Sequence, residues 1–279
     1  MCEKLKKVIV VCLLSSASLL FADTAEIKVD LKLDHGNYVS GERIRGVVTV
    51  DNLSPDKVSV GYSDSADSFF VEVSRSSDGS AMTRVSKHPF VARFSLASSE
   101  GQKLEVFLGD HYGLRETSRY LAKPVLVHKG VRYEGSVRAF DVVDGLKVAG
   151  ATQLFAGRNG LQREFSLVYW NQEHAEHLFL KAVDSGSSDR KWETRDLGPI
   201  LRIDNPVLSI LPTGEVVILH RRNQDWFIRT EFWSLPDELE FSRCETVADP
   251  ETAGSARVRE LYKNEGGVKQ KVNPWWKFW

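Results

Sequence analysis

The sequence predicts an all-β fold, and three observations carry that reading. Ile27, Val29, Leu31 and Leu33 alternate strictly with charged or polar residues, the two-residue repeat of a strand with one buried face. The stretches Arg43 to Asn52 and Ser68 to Ser74 keep the same alternation, and Gly36-Asn37, Ser40-Gly41 and Asn52 to Asp56 punctuate them as turns. In the second half Phe165 to Trp170, His177 to Val183, Val207 to Leu211, Glu215 to His220 and Trp226 to Trp233 read as further strands between turn formers. Short strands at this spacing point to sandwich architecture.

The chain opens differently. Lys4, Lys6 and Lys7 precede an apolar run of about 14 residues, Val8 to Phe21, that closes on Ala22 and Asp23, the order of a secretory signal peptide. A membrane-spanning helix needs roughly 20 apolar residues, so the run is expected to be removed after Ala22 and not to stay as an anchor. Cys2 and Cys12 lack the sequence context of a lipid-attachment site. Residues 1–22 are therefore read as a signal peptide, and the product as exported to a bacterial periplasm or beyond. Lys4, Lys6, Lys7 and Glu3 leave with the signal, which moves a formal charge of −1 further to the acidic side. Nothing in that balance asks for nucleic acid or an anionic membrane. Hydrophobic residues at 42% supply a core. Cys244 is the one cysteine after the signal, so no internal disulfide is expected, and no cofactor or metal is called for.

Tyr38-Val39-Ser40-Gly41-Glu42, followed by Ile44, Val48, Val50 and Asn52, resembles the opening of bacterial Ig-like domains, in which a Y-x-x-G-E turn leads into a strand ending at an Asn-rich corner. Glu100-Gly101-Gln102, Tyr112 with Leu114, Arg119-Tyr120 and Tyr133 to Val142 are similar to the closing half of such domains. The resemblance implies an Ig-like antiparallel sandwich over residues 23–144. It implies a fold more than a role, because such modules serve adaptors, adhesins and inhibitors alike.

Residues 145–248 read as a second antiparallel β region. Phe165 to Tyr169, His177 to Leu180 and Trp192 to Gly198 echo Leu208 to Leu211, Val216 to Leu219 and Thr230 to Pro236, at an offset of about 40 residues, a propeller-blade period. Asp184-Ser185-Gly186 with Trp192 resembles a degenerate Asp-box of sialidase-like propellers, and Pro212-Thr213-Gly214-Glu215 resembles the hairpin that follows it. A closed propeller needs at least four blades, more than this length holds, so blade-like hairpins in an open sheet assembly are expected instead. Arg158, Arg163, Arg202, Arg221, Arg222 and Arg229 offer guanidiniums, but no sialidase arginine triad can be assigned among them.

Asp249-Pro250-Glu251 starts a short helix, with a capping side chain, a proline at the first helical position and an early acid, and Gly266-Gly267 ends it. That helix, residues 249–267, precedes a Trp-rich tail, 268–279, in which Trp275, Trp276 and Trp279 crowd the end. The tail is too apolar to stay in water, and docking on its own chain, on a partner, or peripherally at a membrane interface all remain open.

The chemical constellations are incomplete, so no catalytic residue is nominated. His174 and His177 lack a third ligand, Asp110-His111 with Ser118 lacks a nucleophile elbow, and Cys244 has only Arg243 beside it. Trp170, Trp192, Trp226 and Trp233, with the three tail tryptophans, are the candidate binding residues, because indoles stack on sugar rings and anchor protein contacts. Two function classes follow: a non-catalytic exported or envelope-associated binding protein with a protein or glycan partner, and a carbohydrate-binding or glycosidase-related protein. Protein recovered from the producing cell should begin near Asp23; N-terminal sequencing that still returned Met1 would refute the signal.

Overall fold

The computed structural model describes residues 26–63, 65–156, 160–172, 175–185 and 192–248. The proposed signal, the 249–267 helix, the tail with Trp275, Trp276 and Trp279, and His174 lie outside the described residues.

Alternation decides how the first half packs. β1 (Ile27–Leu33) pairs antiparallel with β3 (Arg45–Asn52), setting Val29 opposite Val50 and Leu31 opposite Val48, and β7 (Gly101–Phe107) adds Leu104 opposite Val48. These side chains share one face and are buried. They meet a second sheet in the order β2 (Asn37–Val39), β10 (Arg138–Val143), β8 (Ser118–His128) and β5 (Ser68–Arg75), with β9 (Val131–Glu134) on β8. Tyr38, Phe140 and Tyr120 run across that sheet as a ring ladder, with Tyr38 edge-on to Phe140 at 6.0 Å and Tyr120 stacked on Phe140 at 5.6 Å. The β2–β10 pair is parallel, a local exception to the antiparallel expectation. A small pair, β4 (Val58–Val60) with β6 (Phe94–Leu96), and one helical turn, α1 (Leu108–His111), complete this sandwich. The Asn-rich corner has a physical function. The buried Asn52 amide donates to the carbonyls of Asp56, Leu96 and Ala97, and its oxygen accepts from Ser54, so one side chain satisfies the backbone of a turn.

The second half is another sandwich. β11 (Leu146–Leu154), β12 (Gln162–Gln172), β13 (Ala175–Ser185) and β14 (Trp192–Pro199) form one four-stranded antiparallel meander; β15 (Val207–Ile210), β16 (Glu215–Arg221), β17 (Trp226–Leu235) and β18 (Glu238–Ala248) form another. Each has the strand count of a propeller blade, but the two stack face to face on one core of Phe165, Leu167, Leu180, Val216, Ile218 and Phe232. The 40-residue echo is out of phase by one strand, since it aligns β12, second in its meander, with β15, first in its own. Among the described residues no helix is long and apolar enough to cross a membrane.

One ion pair ties the second sandwich together. Arg163 on β12 donates to both carboxylate oxygens of Asp184 on β13, at 2.6 and 3.0 Å. Its remaining nitrogen donates to Ser234 Oγ and to the carbonyls of Leu235 and Glu238 in the β17–β18 turn. The pair is 3% and 4% exposed. The Asp-box-like aspartate is thus a bolt between two sheets, and Arg163 is taken up by it. Asp184→Ala leaves a buried guanidinium without its counter-ion and should destabilise the chain by about 3–5 kcal/mol in a denaturant titration.

Candidate functional site

The two sandwiches meet along a seam that the sequence pattern explains. Leu167-Val168-Tyr169 and Leu178-Phe179-Leu180 are continuous apolar runs inside otherwise alternating strands, and all six residues are buried. A strand with both faces covered needs apolar residues on both. Leu167, Tyr169, Leu178 and Leu180 face the partner sheet, while Val168 and Phe179 point the other way onto Val39 of the first sandwich, with Trp170 packed beside them.

Polar groups finish the seam. Glu42, in the turn after β2, makes a parallel backbone bridge with Thr194 on β14, and the Thr194 hydroxyl donates to the Ser40 carbonyl at 2.8 Å. Gly41 between them has φ of +85°, and a Cβ there would lie 2.8 Å from Thr194 Oγ1, so only glycine allows this approach. The Glu42 carboxylate accepts from the Val39 amide at 2.8 Å and faces the Gln172 amide at 3.5 Å.

Above Glu42 the sandwiches part into a groove of about 380 Å³. Arg43, Asp110 and Arg115 line one wall, Trp192, Glu193 and Arg195 the other. A second concavity of about 390 Å³ shares Arg115, Trp192 and Glu193 and runs on to the β17–β18 turn, so Trp192 stands where the two adjoin. The Arg115 guanidinium lies 5.5 Å over the Trp192 ring. The neighbouring arginines are engaged: Arg43 with Asp110 at 2.8 Å and over the Phe107 ring, Arg195 with Glu193.

The titratable groups here are set by burial. Glu42 keeps some surface toward the groove, but its carboxyl lies deep in the seam; burial, helped by the Asp196 charge, pushes it up to about 8. Asp196 on β14 accepts from His177 Nδ1 at 2.9 Å and from the Gly198 amide at 2.7 Å. His220 on β16 is 1% exposed with neither ring nitrogen hydrogen-bonded, and burial pushes it down to about 4, so the fold holds it neutral.

Of the four nominated tryptophans among the described residues, Trp192 alone lines the groove. Trp170 lines a separate concavity of about 510 Å³ with Tyr169 and Arg202. Trp226 and Trp233 stand on opposite faces of β17, by the period of two, and Trp233 is exposed. The four indoles thus do not share one face. Asp110 is held by Arg43, and His111 is buried against Phe90 with ring centroids 3.9 Å apart, so the Asp-His-Ser grouping does not assemble. Among the described residues no group of three or more ligating side chains could hold a metal. Cys244 takes a long contact from the Thr230 hydroxyl, and burial pushes its thiol up, away from nucleophilic character. Glu42, Arg115, Glu193 and Arg195 were not singled out from sequence. Glu42 was visible as the last letter of the Y-x-x-G-E turn, but nothing local tells that its carboxyl points into another sandwich.

No family model and no curated protein matches the chain. Among solved structures, the DNA-bound alkylpurine DNA glycosylase AlkC of Pseudomonas fluorescens is similar at 16% identity and a TM-score of 0.31, over 43% of this chain and 31% of that one. The sporulation control protein Spo0M of Bacillus subtilis is similar at 10% identity and a TM-score of 0.30, over 86% of this chain and 97% of that one. At these scores neither protein's role carries over to this chain.

His220 generates a prediction of definite sign. Its folded value lies below the unfolded 6.5, so its contribution is complete above that pH and is lost as pH falls toward about 4. His220→Leu should remove this loss. Its stability advantage over the wild type, followed by chemical denaturation, should grow through that window to on the order of 3 kcal/mol.

Proposed function

We propose that this chain is an exported, non-catalytic binding protein whose ligand surface is the groove between its sandwiches. The observation that carries the proposal is the pairing of Trp192 with Arg115 across that groove, an indole and a guanidinium contributed by different sandwiches. An apolar plate bordered by hydrogen-bonding groups is the usual composition of a recognition site. Three polar groups that a sequence reading could take for catalytic ones are engaged in holding the fold: Asp110 holds Arg43, Asp184 holds Arg163 and His111 packs on Phe90. Export rests on the N-terminal pattern of Lys4 to Ala22.

A carbohydrate ligand is the second reading, and the surroundings of Trp192 favour it. Glu193 and Arg195 beside the indole, and Arg115 over its face, surround it with hydrogen-bonding groups, which suits a polyol ring better than an extended apolar segment. A glycan array and a pull-down from the envelope fraction, run in parallel on the protein lacking residues 1–22, separate the two classes of partner. In whichever assay gives a signal, Arg115→Ala and Trp192→Ala should each weaken binding about tenfold or more, equivalent to roughly 1.4 kcal/mol. Arg115→Ala should leave the melting temperature unchanged, because the side chain is exposed. Binding unaffected by both variants would place the site elsewhere.

A further inference from the structure

The β15–β18 sheet carries on its outer face the signature that elsewhere in this chain marks a covered one. Val216-Val217-Ile218-Leu219 on β16 is a continuous apolar run, like those of β12 and β13, which are buried on both faces. Val216 and Ile218 enter the core of the second sandwich, so by the period of two Val217 and Leu219 point outward. The register sets Val207 of β15 opposite Leu219, and Val247 of β18 opposite Phe227 of β17, so apolar side chains stand on the outer side of all four strands. These five residues belong to no core cluster, and among the described residues no other sheet packs on that side. We propose that this face is the docking surface of the chain's own C-terminal segment, residues 249–279, with the Trp-rich tail seated on Trp233.

The length of that segment and the point where it starts fit the surface. β18 ends at Ala248, opposite Trp226, and Trp233 lies seven positions further along β17, roughly 23 Å at the rise of a strand. Residues 249–267, expected to be helical, would measure about 28 Å at the rise of a helix, enough to bring the chain back along the sheet to Trp233. Because the segment starts at the edge of this same sheet, its docking is intramolecular and needs no partner in solution.

Charge agrees. Trp233 is 38% exposed and stands between Glu215 of β16 and Glu240 of β18. Residues 268–279 carry Lys269, Lys271 and Lys277 and no acid, so docking there sets lysines against glutamates and indoles against an indole. The arginines of the face are engaged by other acids, Arg229 and Arg243 by Glu231 and Arg221 by Asp204.

The test uses the full chain lacking residues 1–22 and needs no ligand, so it stands or falls apart from the binding proposal. A carbodiimide, which joins a lysine to a carboxylate it touches, should link Lys269, Lys271 or Lys277 to Glu215 or Glu240 within one chain. Trp233→Ser should weaken these links several-fold and lower the melting temperature by several degrees. In a chain ending at Asn273 the same substitution should leave the melting temperature nearly unchanged, because the contact it removes is already gone. An equal shift in both backgrounds overturns the docking, as do tail lysines linked elsewhere or not at all. Links found only between chains overturn it in favour of a second copy. The full chain should also stay in solution beside phosphatidylcholine–phosphatidylglycerol vesicles; sedimentation with them that disappears on removing residues 274–279 overturns the proposal in favour of a membrane. If the shortened chain fails to fold, the crosslinks of the full chain decide alone.

Discussion

Burial of the central strands β12 and β13 on both faces is the constraint from which the arrangement of the molecule follows. One face closes the second sandwich through Phe165, Leu167 and Leu180, and the other presents Val168 and Phe179 to Val39 of the first. A sheet covered twice cannot slip by one residue without exchanging its two apolar sets, so its register fixes the position of the neighbouring sandwich as well. The seam, the groove above it and the pairing of Arg115 with Trp192 all depend on that registration.

The seam is small in apolar content, and polar detail completes it. Gly41, Thr194 and Ser40 make a close backbone approach that any side chain at position 41 would block. Such a contact is specific but holds little apolar area. Within the second sandwich a different device holds distant strands together, the buried Arg163–Asp184 pair, whose guanidinium also reaches the β17–β18 turn.

Local sequence was a good guide wherever a residue's role is local. The strands at Ile27, Arg43, Ser68, Phe165, His177, Val207, Glu215 and Trp226 were legible because alternation is a property of neighbours. Asn52 was legible as a corner and Gly41 as part of a turn. β11 and β18 were not, because their surfaces are mixed and largely exposed, which leaves no alternation to read. The internal echo was real as a rhythm of hairpins, yet it misaligned the meanders by one strand, because antiparallel strands of similar composition look alike in any phase.

By itself, then, the sequence determined an all-β chain with strands where the alternation runs. The tertiary structure alone decided where each of the four described tryptophans stands. Trp170, Trp192, Trp226 and Trp233 have equivalent local patterns, and only the docking of two sandwiches sets Trp192 opposite Arg115 and leaves the others apart. It alone also decided the chemistry of Glu42 and His220, 178 positions apart in sequence and both near Asp196 in space. The physical reason is that a pKa depends on the solvent and charge a group loses or gains when distant segments pack around it, and no local pattern encodes that.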